Sequence, residues 1–137
     1  MVTAITAIAV TVAIIRISPT SVLLSQGQRI THRLVADLRL AQSQALAAGK
    51  NHYLLFTSNG LKFTSYAIYR VETGGDVLAE PARTIPDSVA LTSPLARAEF
   101  TPGGDALAAY TYTLTEPGQT WTISVTLATG AVTLQGR

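Results

Sequence analysis

The alternation of apolar and polar residues divides the chain into three stretches. Residues 1–15 carry no charge, and threonine is their only polar residue. In residues 28–48 apolar positions recur at helical spacing: Ile30, Leu34, Leu38, Ala41 and Ala45 form one stripe, widened by Val35 and Leu46. Arg29, Arg33, Asp37, Gln44 and Lys50 fall largely off that stripe, and Asp37 can pair with Arg33 one turn back. Gly49 stands where a left-handed C-cap is expected. This pattern predicts an amphipathic helix lying on a sheet. Pro19 and Gly27 interrupt the sequence between the two helical stretches, as a kink or as a break.

From residue 52 onward the period changes to two. Residues 52–57 read as a strand, Ser58-Asn59-Gly60 as a turn, and 61–71 as the hairpin partner. In that partner Phe63, Ser65, Ala67 and Tyr69 are expected on one face, and Lys62, Thr64, Tyr66, Ile68 and Arg70 on the other. Pro81, Pro86 and Pro94 predict a loop-rich middle with short strands near 83–85 and 88–91 at most. Further strands are expected at 97–100, 106–115, 120–127 and 131–134. Trp121, Ile123, Val125 and Leu127 face one way in the third of these, with hydroxyl side chains between them. One buried and one wet face is the pattern of antiparallel sheet, and a helix followed by strands gives α+β.

The first stretch has no polar face, so it belongs either inside a large protein or in lipid. A spanning helix needs about 20 residues, and this apolar run is shorter. A secretory signal would begin with basic residues, and none precedes the run. A membrane helix whose beginning lies upstream of Met1 fits best. The expected division is an apolar membrane or filament segment, 1–27, and a periplasmic α+β head, 28–137.

Composition adds little chemistry. Charged residues make up 13% of the chain against 47% hydrophobic, where about 25% charged is usual. The net charge of +2 includes no long block of like charge, and cysteine is absent. Disulfides and thiolate metal sites are therefore excluded. No nucleotide-binding, nucleophile-elbow, zinc-protease or calcium-loop motif occurs. His32 and His52 are the only histidines. His32 is expected on the polar side of the helix and His52 at a strand start. No catalytic residue, cofactor or metal is expected.

The segment Leu34-Val-Ala-Asp37-Leu38-Arg39-Leu-Ala41-Gln42-Ser43-Gln-Ala45-Leu46 resembles the end of the long N-terminal helix in GspH/FimT-type minor pseudopilins. Phe100-Thr-Pro102-Gly103-Gly104 and the turn at Thr129-Gly130 are similar to further elements of that family, in the same order. The family begins with a prepilin peptidase site and a Phe-Thr-Leu-Ile-Glu-like box. Neither is present here, and Met1 onward resembles the part just after the box. The family's buried docking glutamate therefore maps to no residue of this chain.

The resemblance implies a pilin-like fold: a long helix whose C-terminal half packs on an antiparallel head. It implies a non-enzymatic, structural subunit of a type II secretion pseudopilus, with a type IV pilus or DNA-uptake role as the alternative. It also implies cleavage and N-methylation by prepilin peptidase, a single pass through the bacterial inner membrane with the head in the periplasm, and packing against other pseudopilins or pilins through the N-terminal helix. Asp37 and Arg39 become candidate contacts with a neighbouring subunit, against a plainer reading as an exposed helical charge and a local ion pair. Arg137 is a candidate DNA contact. One cation holds little phosphate, so DNA binding would need Lys50, Lys62, Arg70 or Arg97 to converge with it. A membrane-anchored binding module unrelated to pilins is the third expectation.

Overall fold

The computed structural model describes residues 25–60 and 62–136. The apolar segment up to residue 24, including Pro19, and the candidate contact Arg137 lie outside them. The described residues form helix α1 (Gln26–Ala48) and strands β1 (His52–Ser58), β2 (Phe63–Arg70), β3 (Val77–Thr84), β4 (Ala90–Thr92), β5 (Arg97–Phe100), β6 (Tyr110–Glu116), β7 (Gln119–Val125) and β8 (Val132–Gly136). The fold is α+β, with α1 packed on two antiparallel sheets ordered β3-β2-β1-β5 and β4-β6-β7-β8. No helix among the described residues is long and apolar enough to cross a membrane.

Both ends of α1 are capped. The extended Ser25 accepts the Gln28 N–H on its hydroxyl at 3.1 Å. At the other end Gly49 adopts φ 70° and donates its N–H to the Ala45 carbonyl at 3.0 Å. Gly27 is not a break. It lies in the first turn, where Glu116 of β6 accepts its N–H at 3.1 Å. The first turn has no acid of its own, so Glu116 supplies negative charge at the positive end of the helix. A Cβ on Gly27 would fall 2.6 Å from the Trp121 ring. The missing side chain is what lets helix and sheet approach here.

The stripe buries Ile30, Leu34, Val35, Leu38, Ala41 and Ala45 as expected. Full burial of each leucine contributes about 1.5–3 kcal/mol. Leu46 does not join them and is 54% exposed, because the helix ends two residues later, at the rim of the head. In the second sheet Tyr110, Tyr112 and Leu114 face the core opposite Val125, Ile123 and Trp121. The alternation stops sooner than the sequence suggests. β7 ends at Val125, and Leu127 enters the following turn, 50% exposed.

The first sheet departs further from the expected pattern. Tyr66 and Ile68 are buried in the core, and so is Phe63, which simple alternation places on the other face. The register between β1 and β2 shifts at Thr57/Ser58, and this irregularity reverses the side from which Phe63 enters. β3 is eight residues long although it contains Pro81. It can be, because β3 is an edge strand, and its pairing with β2 shifts register between Tyr66 and Ile68, where Pro81 needs no ladder bond.

Candidate functional site

The segment that carries the family resemblance lies on α1, and its polar residues reach outward to several elements. Asp37 is 4% exposed. Its Oδ2 accepts the Tyr66 hydroxyl at 2.6 Å and pairs with Arg83 Nε of β3 at 2.8 Å. The expected partner, Arg33, instead donates to the Thr84 carbonyl at 2.8 Å and stands 5.8 Å over the Tyr66 ring. The plainer reading of Asp37 as an exposed charge in a local pair is therefore corrected. A long-range partner on β3 and a buried hydroxyl outcompete a flexible surface pair. Burial first, and then the bond to Asp37, push the Tyr66 hydroxyl well above its usual pKa.

Arg39 is exposed, and its Nη2 donates to the Val132 carbonyl of β8 at 3.1 Å. Gln42 bridges two turns, donating from Nε2 to the carbonyls of Gly104 at 2.6 Å and Thr129 at 3.1 Å. Gly130, at φ 69°, packs so tightly here that a Cβ would fall 2.5 Å from Gln42 Nε2 and closer still to the Gly104 carbonyl oxygen. The three family-like elements of the sequence thus meet in space, with Gln42 as their tie. In the sequence Gln42 stands only as one member of the motif. Its place off the apolar stripe was the available signal. Nothing in the sequence marks Tyr66, Arg83 or Glu116 as partners of the helix.

Arg137 lies outside the described residues, so its convergence with Lys50, Lys62, Arg70 or Arg97 on a DNA site is not tested by where those four side chains lie. Lys62 precedes the eight-residue β2 and Arg70 ends it, a separation of about 25 Å at ~3.4 Å per residue. Lys50 and Arg70 both engage Glu72, and Arg97 engages Glu99 while stacking 3.6 Å over Tyr53. Bonds from Lys50 and then Arg70 hold Glu72 below the usual carboxylate range. Lys62 Nζ donates to the Asp87 carbonyl at 2.8 Å.

His32 is exposed on α1, and His52 is buried, with Nδ1 2.9 Å from the Lys50 carbonyl. Among the described residues no three His, Cys, Asp or Glu side chains gather as a metal site requires. An open cleft of about 620 Å³ lies beside the first turn of α1, lined by Asp87, Ser88, Glu116 and Thr120 among others. Its lining holds no histidine or lysine, and of its two carboxylates, Asp87 and Glu116, the second accepts the Gly27 N–H.

Residues 31–130 match the model of the family described as type II transport protein GspH. The chain belongs to that family. Solved structures of other proteins share the fold, among them a minor pilin and a minor pseudopilin. The type IV minor pilin FimU of Pseudomonas aeruginosa strain PAO1 is 18% identical, over 79% of this chain and 87% of its own, with a TM-score of 0.63. The minor pseudopilin EpsH from the type 2 secretion system of Vibrio cholerae is 12% identical, over 81% of this chain and 97% of its own, with a TM-score of 0.68. No curated protein matches the chain. As a GspH-family member, the protein is a subunit of either a type II secretion system or a type IV pilus. The family is structural, and its members assemble with other pilins or pseudopilins.

Proposed function

We propose that this GspH-family protein is a structural minor pseudopilin of a type II secretion pseudopilus. The observation that carries the reading is the match of residues 31–130 to the type II transport family. The likeness of the head to EpsH, a pseudopilin, is in keeping with it. The uncharged run of residues 1–15 supports an anchor in the bacterial inner membrane that crosses once and leaves the head in the periplasm. The division is then an anchor segment, 1–27, and a head, 28–137. Prepilin peptidase acts on the chain, with N-methylation, if its gene starts upstream of Met1. Apolar helices leave lipid readily when their faces meet one another, so packing into a filament core is the mechanical role. No catalytic role is proposed.

Deleting the gene in its host tests the reading. Loss of exported enzymes from the medium with pili intact is the expected result. Loss of pili or of DNA uptake with secretion intact would move the protein to the alternative, a FimT-type minor pilin.

A further inference from the structure

Among the described residues β8 is an edge strand, paired only with β7. The Thr126 N–H bonds the Ala131 carbonyl at 2.9 Å, and the register continues through Val125↔Val132, Ser124↔Thr133 and Ile123↔Leu134. Bonded and non-bonded pairs alternate in an antiparallel ladder. Thr133 and Gln135 therefore turn their peptide groups toward β7, while Val132, Leu134 and Gly136 turn theirs outward. The Val132 carbonyl is met by Arg39. The outward N–H and C=O of Leu134 have no partner among the described residues.

The other edges are blunted in the usual ways. β3 carries Pro81 and two register shifts, and β4 is three residues long. The outer side of β5 is covered, since the Leu107 N–H bonds the Glu99 carbonyl at 3.0 Å and Ala106 bridges to Phe100. β8 has no proline, bulge or charged side chain.

The exposed helix face beside this edge carries the cation Arg39. β8 runs antiparallel to α1: Val132 lies at Arg39, while Gly136 packs on Trp121, whose ring also meets Gly27. His32 and Ala36 precede Arg39 by seven and three residues and are exposed with it on one helix face. The sole acid of α1, Asp37, is buried and paired with Arg83. Among the described residues, an open row of peptide groups therefore lies alongside a small residue, a histidine and an arginine, and Glu116, at the Gly27 end of the helix, is held by the Gly27 N–H.

We propose that the outer edge of β8 receives an added strand: an extended, acidic segment of a neighbouring, different subunit. Its backbone pairs with Leu134 and Gly136, and its carboxylate meets Arg39. This head-to-head contact goes beyond packing of the N-terminal helices, and it rests on the assembly role only in taking a subunit as the partner.

The test uses the full chain in detergent micelles and a six-residue peptide of alternating glutamate and threonine. The expected result is that peptide binding slows amide exchange at Leu134 by about tenfold or more. The same peptide with N-methylated amides leaves exchange unchanged. Leu134→Pro removes the outward N–H together with a side chain partly packed on the core; amide exchange at Thr133 and Gln135, whose N–H groups face β7, stays slow, and binding is abolished. Arg39→Glu weakens binding about tenfold or more. Binding that survives Leu134→Pro would overturn the proposal, as would no binding at millimolar peptide. A peptide-free dimer that disappears with Leu134→Pro would replace the different subunit by a second copy, and so overturn the assignment of the partner. A chain that fails to bind the peptide yet restores secretion in the deletion strain sinks the edge contact alone.

Discussion

The second sheet meets α1 through alternating apolar residues, with its polar contacts to the helix, at Glu116 and the Val132 carbonyl, only part-buried, whereas the first meets it partly through fully buried polar groups. Beside α1 the second sheet presents Leu114, Trp121, Ile123 and Val125, with Gly27 cut away to admit the Trp121 ring. The first sheet presents Leu54, Phe56, Tyr66 and Ile68, but Tyr66 and Arg83 converge on Asp37. Dry packing is specified residue by residue along each strand. A polar cluster is specified by partners far apart in sequence, and it stabilises only when every member is satisfied. The two sheets therefore differ in how they should fail.

The deepest shared point is Leu38, which is fully buried on the helix face that both sheets use. Leu38→Asp places a charge there without a partner, and a loss of about 4 kcal/mol or more is expected. Circular dichroism melts of the variant should show the whole head destabilised. An unchanged melt would mean that the helix face is assigned wrongly.

Gly130→Ala comes next, combining a φ of 69° with a collision against the Gly104 backbone. A cost of about 2–3 kcal/mol is expected in denaturant titrations. Gly49→Ala, with φ 70° but open space around it, should cost only about 1 kcal/mol. Equal costs would show that packing between the two turns contributes nothing.

Asp37→Ala strands Arg83 and the Tyr66 hydroxyl, and should cost about 1–3 kcal/mol. Hydrogen exchange should rise first in β3, which hangs on the polar cluster, before it rises in β7. Faster exchange in β7 first would reverse the assignment of that cluster to one sheet. Two tyrosines sharpen the same contrast. Tyr66→Phe removes a satisfied bond and should cost about 1 kcal/mol. Tyr112→Phe removes a buried hydroxyl that has no partner among the described residues, so it should be neutral or slightly stabilising.

The smallest effect concerns alkaline pH. Burial first, and then the bond to Asp76, raise Tyr53 to about 12, while Tyr66 and Tyr112 are pushed higher still, in each case chiefly by burial. Unfolded tyrosines ionise near ~10. Raised folded values mean that this stability is fully present below about pH 10 and is lost as pH rises through the folded pKa values. A melting temperature that falls between about pH 10 and 12 is expected, and one that stays constant would contradict the burial of these hydroxyls.

The second sheet was legible because Tyr110 to Leu114 and Trp121 to Val125 keep strict alternation, and the helix because its stripe repeats at 3.6-residue spacing with Gly49 at its end. Leu46 and Leu127 fit the periods but lie beyond the last turn or rung that reaches the core, which periodicity alone does not show. Phe63 and β3 depart from the pattern for another reason. Register shifts and edge positions change the meaning of alternation and of Pro81, and both depend on the neighbouring strand. Of the candidate residues, the motif located Asp37 and Arg39 on the right element. Their partners on Tyr66, Arg83 and Val132 come from chain segments brought together only by the sheets.

The account rests on an apolar front end that is separate from a self-sufficient head. The direct test is to compare the full chain with a chain lacking residues 1–17 in membrane fractionation, followed by a thermal melt of the head. The account predicts that the full chain goes to the membrane, while the shortened chain is soluble and melts cooperatively at the same temperature. A shortened chain that aggregates or loses its β signal would place the apolar segment in the core of the head and remove the basis for an anchored filament subunit.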